Sequence, residues 1–182
     1  EGALFEPSNA ETGPGVLVLH GGAGEPSLWK AALLAERGYT AFALHYFSGD
    51  GLPDNASELP LEYVRDAATW LCDRELTAGD RVGLIGSSLG GQLALLAESE
   101  FDVSGPVVSI NSSGVVSEGF TGDNYPTGTS TWTLDGEPVP YLNRELWYDG
   151  PDGAGEDEVE AASIQVEEID GRVLLVAGGD DR

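Results

Sequence analysis

The stretch Arg81-Val82-Gly83-Leu84-Ile85-Gly86-Ser87-Ser88-Leu89-Gly90-Gly91 decides the fold. Its first half, entered through Gly79-Asp80, is a continuous apolar run of the kind that forms a strand buried on both faces. Gln92 to Glu98 reads as a helix. Between them, Gly86-Ser87-Ser88-Leu89-Gly90 fits G-x-S-x-G, in which a tight strand-to-helix turn lifts one serine above the sheet. The flanking glycines allow the two backbone segments to pack closely. The spacing selects Ser88 as the nucleophile and leaves Ser87 to shape the turn. The amino end of the following helix sets N–H groups and a positive partial charge beside any developing oxyanion, and the N–H of Leu89 is the first such donor.

Working outward, Gly15-Val16-Leu17-Val18-Leu19-His20 is another short apolar run, stopped by Gly21-Gly22. A helical pattern starts at Ser27, with Leu28, Ala31, Ala32, Leu34 and Ala35 at spacings of three and four, and closes at Gly38. Thr40 to Leu44 is a second apolar run, continuing into His45-Tyr46-Phe47. Ser48 to Pro60 reads as a loop, and Leu61, Val64, Ala67, Ala68 and Leu71 resume the helical spacing. Beyond the central stretch, Pro106 to Ile110 and Arg172 to Ala177 are further strands. Strands alternating with helices require crossover connections, so the class is α/β with a mostly parallel sheet and flanking helices. Residues 111–160 leave this rhythm. They form a long Gly-, Ser-, Thr-, Asp- and Pro-rich insert near the expected substrate pocket. Asp135-Gly136, between Thr131–Leu134 and Val139–Leu142, predicts a hairpin there.

Two further motifs lie at strand ends. His20-Gly21-Gly22-Ala23-Gly24 sits where a His-Gly-rich loop supplies a second oxyanion N–H, assigned here to Gly22. A phosphate-binding loop is the alternative, but the G-x-G-x-x-G and Walker spacings are missing. Gly178-Gly179-Asp180-Asp181 follows the last strand, where an acid that orients a catalytic histidine is expected: Asp181, with Asp180 as the alternative. The base itself is harder to place. His20 and His45 are the two histidines, and both precede Ser88. His20 belongs to the oxyanion loop, and a packed or hydrogen-bonded role suits His45. The order Ser, acid, His therefore places the base beyond residue 182. Residues 1–182 alone are expected to be inactive.

The composition bears on the surface. Among 182 residues, 32 are Asp or Glu and 8 are Lys or Arg, a formal charge of −24. That charge excludes binding that depends on neutralising nucleic-acid phosphates, and it disfavours docking on anionic membranes. A 41% hydrophobic share gathered into runs excludes disorder. Lys30 is the single lysine, and this acid-rich, lysine-poor balance fits a halophile whose salt screens self-repulsion. With no Met, Glu1 is read as the product of processing or as the start of a fragment. The first residues lack the layout of a signal peptide, and no apolar run approaches a membrane span. Cys72 stands alone, which suits a small packed hydrophobe. A cytoplasmic protein is expected. No cofactor is implied, and no metal, because no His/Cys/Asp cluster has ligand spacing.

With these motifs in place, the chain resembles the C-terminal catalytic domain shared by acyl-CoA thioester hydrolases and bile acid-CoA:amino acid N-acyltransferases, within the dienelactone-hydrolase-like part of the α/β-hydrolase superfamily. Pro14-Gly15-Val16-Leu17, Leu33-Leu34-Ala35 to Gly38-Tyr39, and Leu59-Pro60-Leu61-Glu62-Tyr63 carry the resemblance before the serine turn. Gly83-Leu84-Ile85-Gly86, Val108-Ser109-Ile110-Asn111-Ser112-Ser113-Gly114, and Val166-Glu167 through to Asp180-Asp181 carry it at and after the turn. It implies an α/β-hydrolase fold, incomplete at both ends because the family's amino-terminal β-sandwich and its histidine-bearing segment fall outside 1–182. It also implies a serine hydrolase acting on a small-molecule acyl thioester. Serine at the nucleophile position leans to hydrolysis, whereas amino-acid acyltransferases tend to carry cysteine. A carboxylesterase or dienelactone-hydrolase-like esterase of the same fold is the alternative, and a non-catalytic fragment is the third.

Overall fold

The computed structural model describes residues 1–102, 104–144 and 154–179. Strands β1 (Gly2–Phe5), β2 (Gly13–Leu19) and β3 (Thr40–Leu44) flank helix α1 (Leu28–Ala35). The two-residue β4 (Leu59–Pro60) leads into α2 (Glu62–Cys72), β5 (Thr77–Ser87), α3 (Leu89–Phe101) and β6 (Ser104–Ile110). The insert contributes β7 (Glu118–Phe120), β8 (Pro126–Ser130), β9 (Trp132–Leu134) and β10 (Glu137–Pro138). Helix α4 (Glu156–Ala162), a 3-10 turn at Val166–Glu168 and β11 (Val173–Val176) follow.

The main sheet runs β1-β3-β2-β5-β6-β11. All of its pairings are parallel except that of β1 with β3. The chain moves from β2 to β3 on one side and then returns to place β5 on the other side of β2. The carboxyl ends of β2 and β5 therefore flank a crevice at the point where strand order reverses, which is where open α/β sheets bind ligands. Gly22 follows the first of these strands and Ser88 the second.

Alternation along β2 explains its unbroken apolar run. Leu17 and Leu19 join the core on one face, with Leu44, Leu84 and Leu93, while Val18 packs on the other with Ala31, Ala41 and Ala43. Each fully buried Leu or Val contributes about 1.5–3 kcal/mol. Gly38, with φ +88°, ends the first helical segment as its position predicts.

Four local features depart from the sequence reading. The first residues form β1, whose four residues carry too little pattern to register without β3 as partner. The loop of residues 48–60 ends in β4, paired in parallel with β9. The hairpin turn stands at Asp135 and Gly136, both with positive φ, but its second strand is Glu137–Pro138 rather than Val139–Leu142. A two-residue turn sets Glu137 directly opposite Leu134, so pairing starts at once. Within the irregular insert, α4 begins with Glu156, Asp157 and Glu158 against the positive end of its own dipole.

Candidate active site

Ser88 occupies the turn between β5 and α3 with φ 54° and ψ −124°. Non-glycine residues rarely adopt such a backbone, and holding one there costs on the order of 1–3 kcal/mol. The surroundings fix it. Ser88 N–H donates to the Ile110 carbonyl at 2.9 Å, and the Ser88 carbonyl accepts from Gly91 and Gln92 N–H at 2.9 and 3.1 Å. The side chain is left exposed.

Sterics dictate the neighbouring glycines. A Cβ on Gly86 would stand 1.9 Å from the Gly90 carbonyl oxygen, and one on Gly90 would stand 2.4 Å from that of His20. Gly91 has a similar constraint from Ser109 Oγ at 2.7 Å. Below it, the Ser109 and Ser112 hydroxyls share a hydrogen bond.

Ser88 opens into a cavity of about 620 Å³ whose wall also includes Gly22, Leu89, Gln92, Asn111 and Phe120. Gly21 lies against the serine: a Cβ there would be 3.6 Å from Ser88 Cβ. The first N–H groups of a helix have no intrahelical acceptor, and that of Leu89 is the first beyond the serine. Residues 111–144 supply nine members of the wall, among them Ser112, Ser113, Ser117 and Asn124. Arg144 is the one cationic side chain among the described wall residues. Its main-chain N–H is held by Glu118 at 2.8 Å, and its guanidinium donates to the Asn124 carbonyl at 2.6 Å.

Both histidines brace the loop after β2. The His20 ring is buried and stacks on Tyr46 with centroids 3.9 Å apart. Its Nδ1 lies 2.9 Å from the Gly21 carbonyl oxygen, and its buried Nε2 has no hydrogen-bond partner among the described residues. Burial lowers its pKa from 6.5 to about 4, against a smaller raising effect of the Gly21 carbonyl. His45 Nε2 lies 2.9 Å from the Gly24 carbonyl oxygen. The Tyr46 hydroxyl donates to the His20 carbonyl, and burial raises the pKa of that phenol.

Among the described residues, neither ring nitrogen of either histidine has a recorded hydrogen bond to Ser88. Asp180 and Asp181 lie outside the described residues. The segment before them is tied down by Asn111, whose Oδ1 accepts from Gly178 N–H at 2.9 Å, while Asn111 N–H donates to the Val176 carbonyl at 2.7 Å.

Several contributors carried little signal in the sequence. Lys30 donates to Ser87 Oγ at 2.5 Å, and partial burial lowers the pKa of its ammonium. Its being the single lysine was the available hint. Gln92 is buried within an apolar helix, donating to the Val115 carbonyl at 2.8 Å and accepting from Trp132 Nε1 at 2.9 Å. One amide among leucines was the clue. Tyr46 and Arg144 had none, because their roles depend on loops meeting across the sheet.

A serine held at a strained strand-to-helix turn over a mostly parallel sheet defines an α/β hydrolase fold. Solved structures agree. The chain is similar to the Pyrococcus horikoshii acylaminoacyl peptidase, with a TM-score of 0.56 at 16% identity over 97% of this chain and 29% of that one. It is also similar to an α/β hydrolase from Penicillium sp. sh18, with a TM-score of 0.52 at 19% identity over 63% and 41% of the two chains.

Within that fold, the chain belongs to the BAAT / acyl-CoA thioester hydrolase C-terminal family, whose model matches residues 59–182. Similar relatives include the bile acid-CoA:amino acid N-acyltransferase of Mus musculus, 30% identical over 100% of this chain, and acyl-coenzyme A thioesterase 1 of Homo sapiens, 32% identical over 99%. The chain spans 43% of the length of each of these relatives. No helix among the described residues is long and apolar enough to cross a membrane.

Proposed function

We propose that residues 1–182 are part of the catalytic domain of a serine hydrolase that cleaves acyl-CoA thioesters through an acyl-enzyme, with residues 111–160 walling the substrate pocket. The observation that carries this reading is the strained, exposed Ser88 opening into the cavity shared with Gly22 and Leu89. Backbone strain concentrates where a side chain must be presented for chemistry.

In the proposed sequence, Ser88 Oγ attacks the acyl carbonyl, and the Leu89 and Gly22 N–H groups hold the oxyanion. Asp181, or Asp180 in its place, orients a histidine beyond residue 182 that takes the serine proton and returns it to the leaving thiolate. Water, activated by the same histidine, then attacks the acyl-serine and releases the acid. No cofactor enters these steps. The substrate is a small molecule in an aqueous, cytoplasmic setting, and the −24 charge is that of a protein adapted to high salt, so turnover of a polyanionic CoA ester should rise with salt.

The decisive experiment labels the natural protein with a serine-directed fluorophosphonate. Labelling at Ser88, abolished in Ser88→Ala, is the expected result; equal labelling of both removes the assignment. A panel of acyl-CoA thioesters and simple esters then separates the thioesterase from an esterase of the same fold, and turnover of esters alone selects the latter.

A further inference from the structure

The proposed oxyanion donors belong to two separate segments. Gly22 stands in the loop that follows β2 and runs into α1, and Leu89 follows the turn that closes β5. The pairing of these two strands ends at Leu19 opposite Gly86, so the ladder does not fix the loop against the turn. Gly21 packs on the turn, where an added Cβ would stand 3.3 Å from the Ser87 carbonyl oxygen. One hydrogen bond spans the gap: Lys30 Nζ, in the first turn of α1, donates to Ser87 Oγ at 2.5 Å. Among the described residues, no other hydrogen bond joins residues 20–35 to residues 87–91.

The charge at this bond stands apart from its surroundings. Lys30 is the single lysine in a chain with 32 Asp and Glu residues. Among the described residues no carboxylate forms an ion pair with it, whereas Arg65 pairs with Asp66 and Arg81 with Asp102. Partial burial opposes its charge and lowers its pKa. Successive Cα atoms are about 3.8 Å apart, so the bond to Ser87 holds the ammonium within about 9 Å of the Ser88 Cα. At that range, with an effective dielectric constant of about 20, one charge alters the rate of oxyanion formation on the order of tenfold.

We propose that Lys30 is a positioning residue for acyl transfer: through Ser87 it ties the Gly22 loop to the Ser88 turn and sets a positive charge beside the oxyanion. The idea rests on the acyl-enzyme reading of Ser88. A direct oxyanion donor is worth on the order of a hundredfold or more in rate. Lys30 touches no reacting atom and is worth less.

The test follows the rate at which a small uncharged fluorophosphonate labels Ser88 of the natural protein as probe concentration is raised. Labelling forms the Oγ–P bond, expels fluoride and passes the serine proton to the base, and the phosphoryl oxygen takes the place of the oxyanion. Lys30→Met should lower the maximal rate on the order of tenfold. The half-saturating concentration and the denaturant midpoint should not move. Lys30→Arg, which keeps a charged donor, should recover most of the rate. Ser87→Ala should also slow labelling, and the double variant should be no slower than Lys30→Met alone.

A folded Lys30→Met labelled at the natural maximal rate, a Lys30→Arg as slow as Lys30→Met, or losses that add in the double variant would overturn the role. Should Lys30→Met fail to fold, Ser87→Ala carries the test, and labelling at the natural rate overturns it. The two readings fail apart. If the natural protein is not labelled at Ser88, the hydrolase reading falls and takes this role with it. If Ser88 is labelled equally fast with and without Lys30, only the role of Lys30 falls.

Discussion

The turn at Ser88 and the insert that roofs it are built on opposite principles. Around the serine, backbone meets backbone at glycines that admit no side chain, over strands apolar on both faces. In the insert, strands of two to five residues pair through main-chain hydrogen bonds that side chains supplement, and Gly114, Gly122, Gly128 and Gly136 leave nothing within 4 Å of an added Cβ. Glu118 accepts from the main chain of Gly128 and Arg144, and Thr131 Oγ1 donates to the Ser117 carbonyl. Close packing tolerates almost no change, whereas open positions of that kind have room for a side chain. Ser88 therefore sits on the part that cannot adjust, and the insert's share of the cavity wall belongs to the part that can.

The sharpest way to break this comparison is a matched pair of glycine substitutions. Gly86→Ala, whose Cβ would stand 1.9 Å from the Gly90 carbonyl oxygen, should cost about 4 kcal/mol or more in denaturant unfolding, or prevent folding. Gly122→Ala in the insert, with nothing within 4 Å, should stay within about 0.5 kcal/mol. Equal costs would erase the distinction.

Next in size is a pH effect in the loop after β2. The folded pKa of His20 is lowered from 6.5 to about 4, so between those values the unfolded chain binds the proton and the folded chain does not. The contribution of His20 is therefore fully present above about pH 6.5 and falls away as pH drops towards 4, by about 3 kcal/mol in total. His20→Phe, which keeps a ring against Tyr46, should remove this component from the stability profile measured in high salt. An unchanged profile would mean that the ring titrates normally.

The smallest effect tests the seam between the two regions. Gln92→Leu strands the Trp132 N–H and the Val115 carbonyl and should cost about 1–3 kcal/mol in denaturant unfolding. A loss as large as that of Gly86→Ala would make the insert part of the rigid scaffold.

Much of the scaffold was legible because its signals are local. Buried strands read as short apolar runs, and the glycines that the strand-to-helix turn requires stand at fixed offsets from Ser88. The strand Thr40–Leu44 takes the first five residues of the apolar run that continues to Phe47, and the Asp135-Gly136 turn lies where its dipeptide places it. The partner strand of that turn was misread because the chain pairs from the first residue after the turn. The edge strand Gly2–Phe5 was missed because only contact with Thr40–Leu44 gives it a reason to be extended.

The sequence by itself determined the α/β class and the strand-to-helix turn with Ser88 at its tip, since periodicity and glycine spacing are properties of neighbouring residues. It also determined the acidic surface, which is a matter of counting. Only the tertiary structure decided that His20 and His45 brace the loop after β2, that Asn111 secures Gly178, and that Gln92 bonds Trp132 of the insert. His45 and Gly24 are 21 positions apart, Gln92 and Trp132 40, and Asn111 and Gly178 67, and no local pattern specifies which distant groups the packed sheet will bring together.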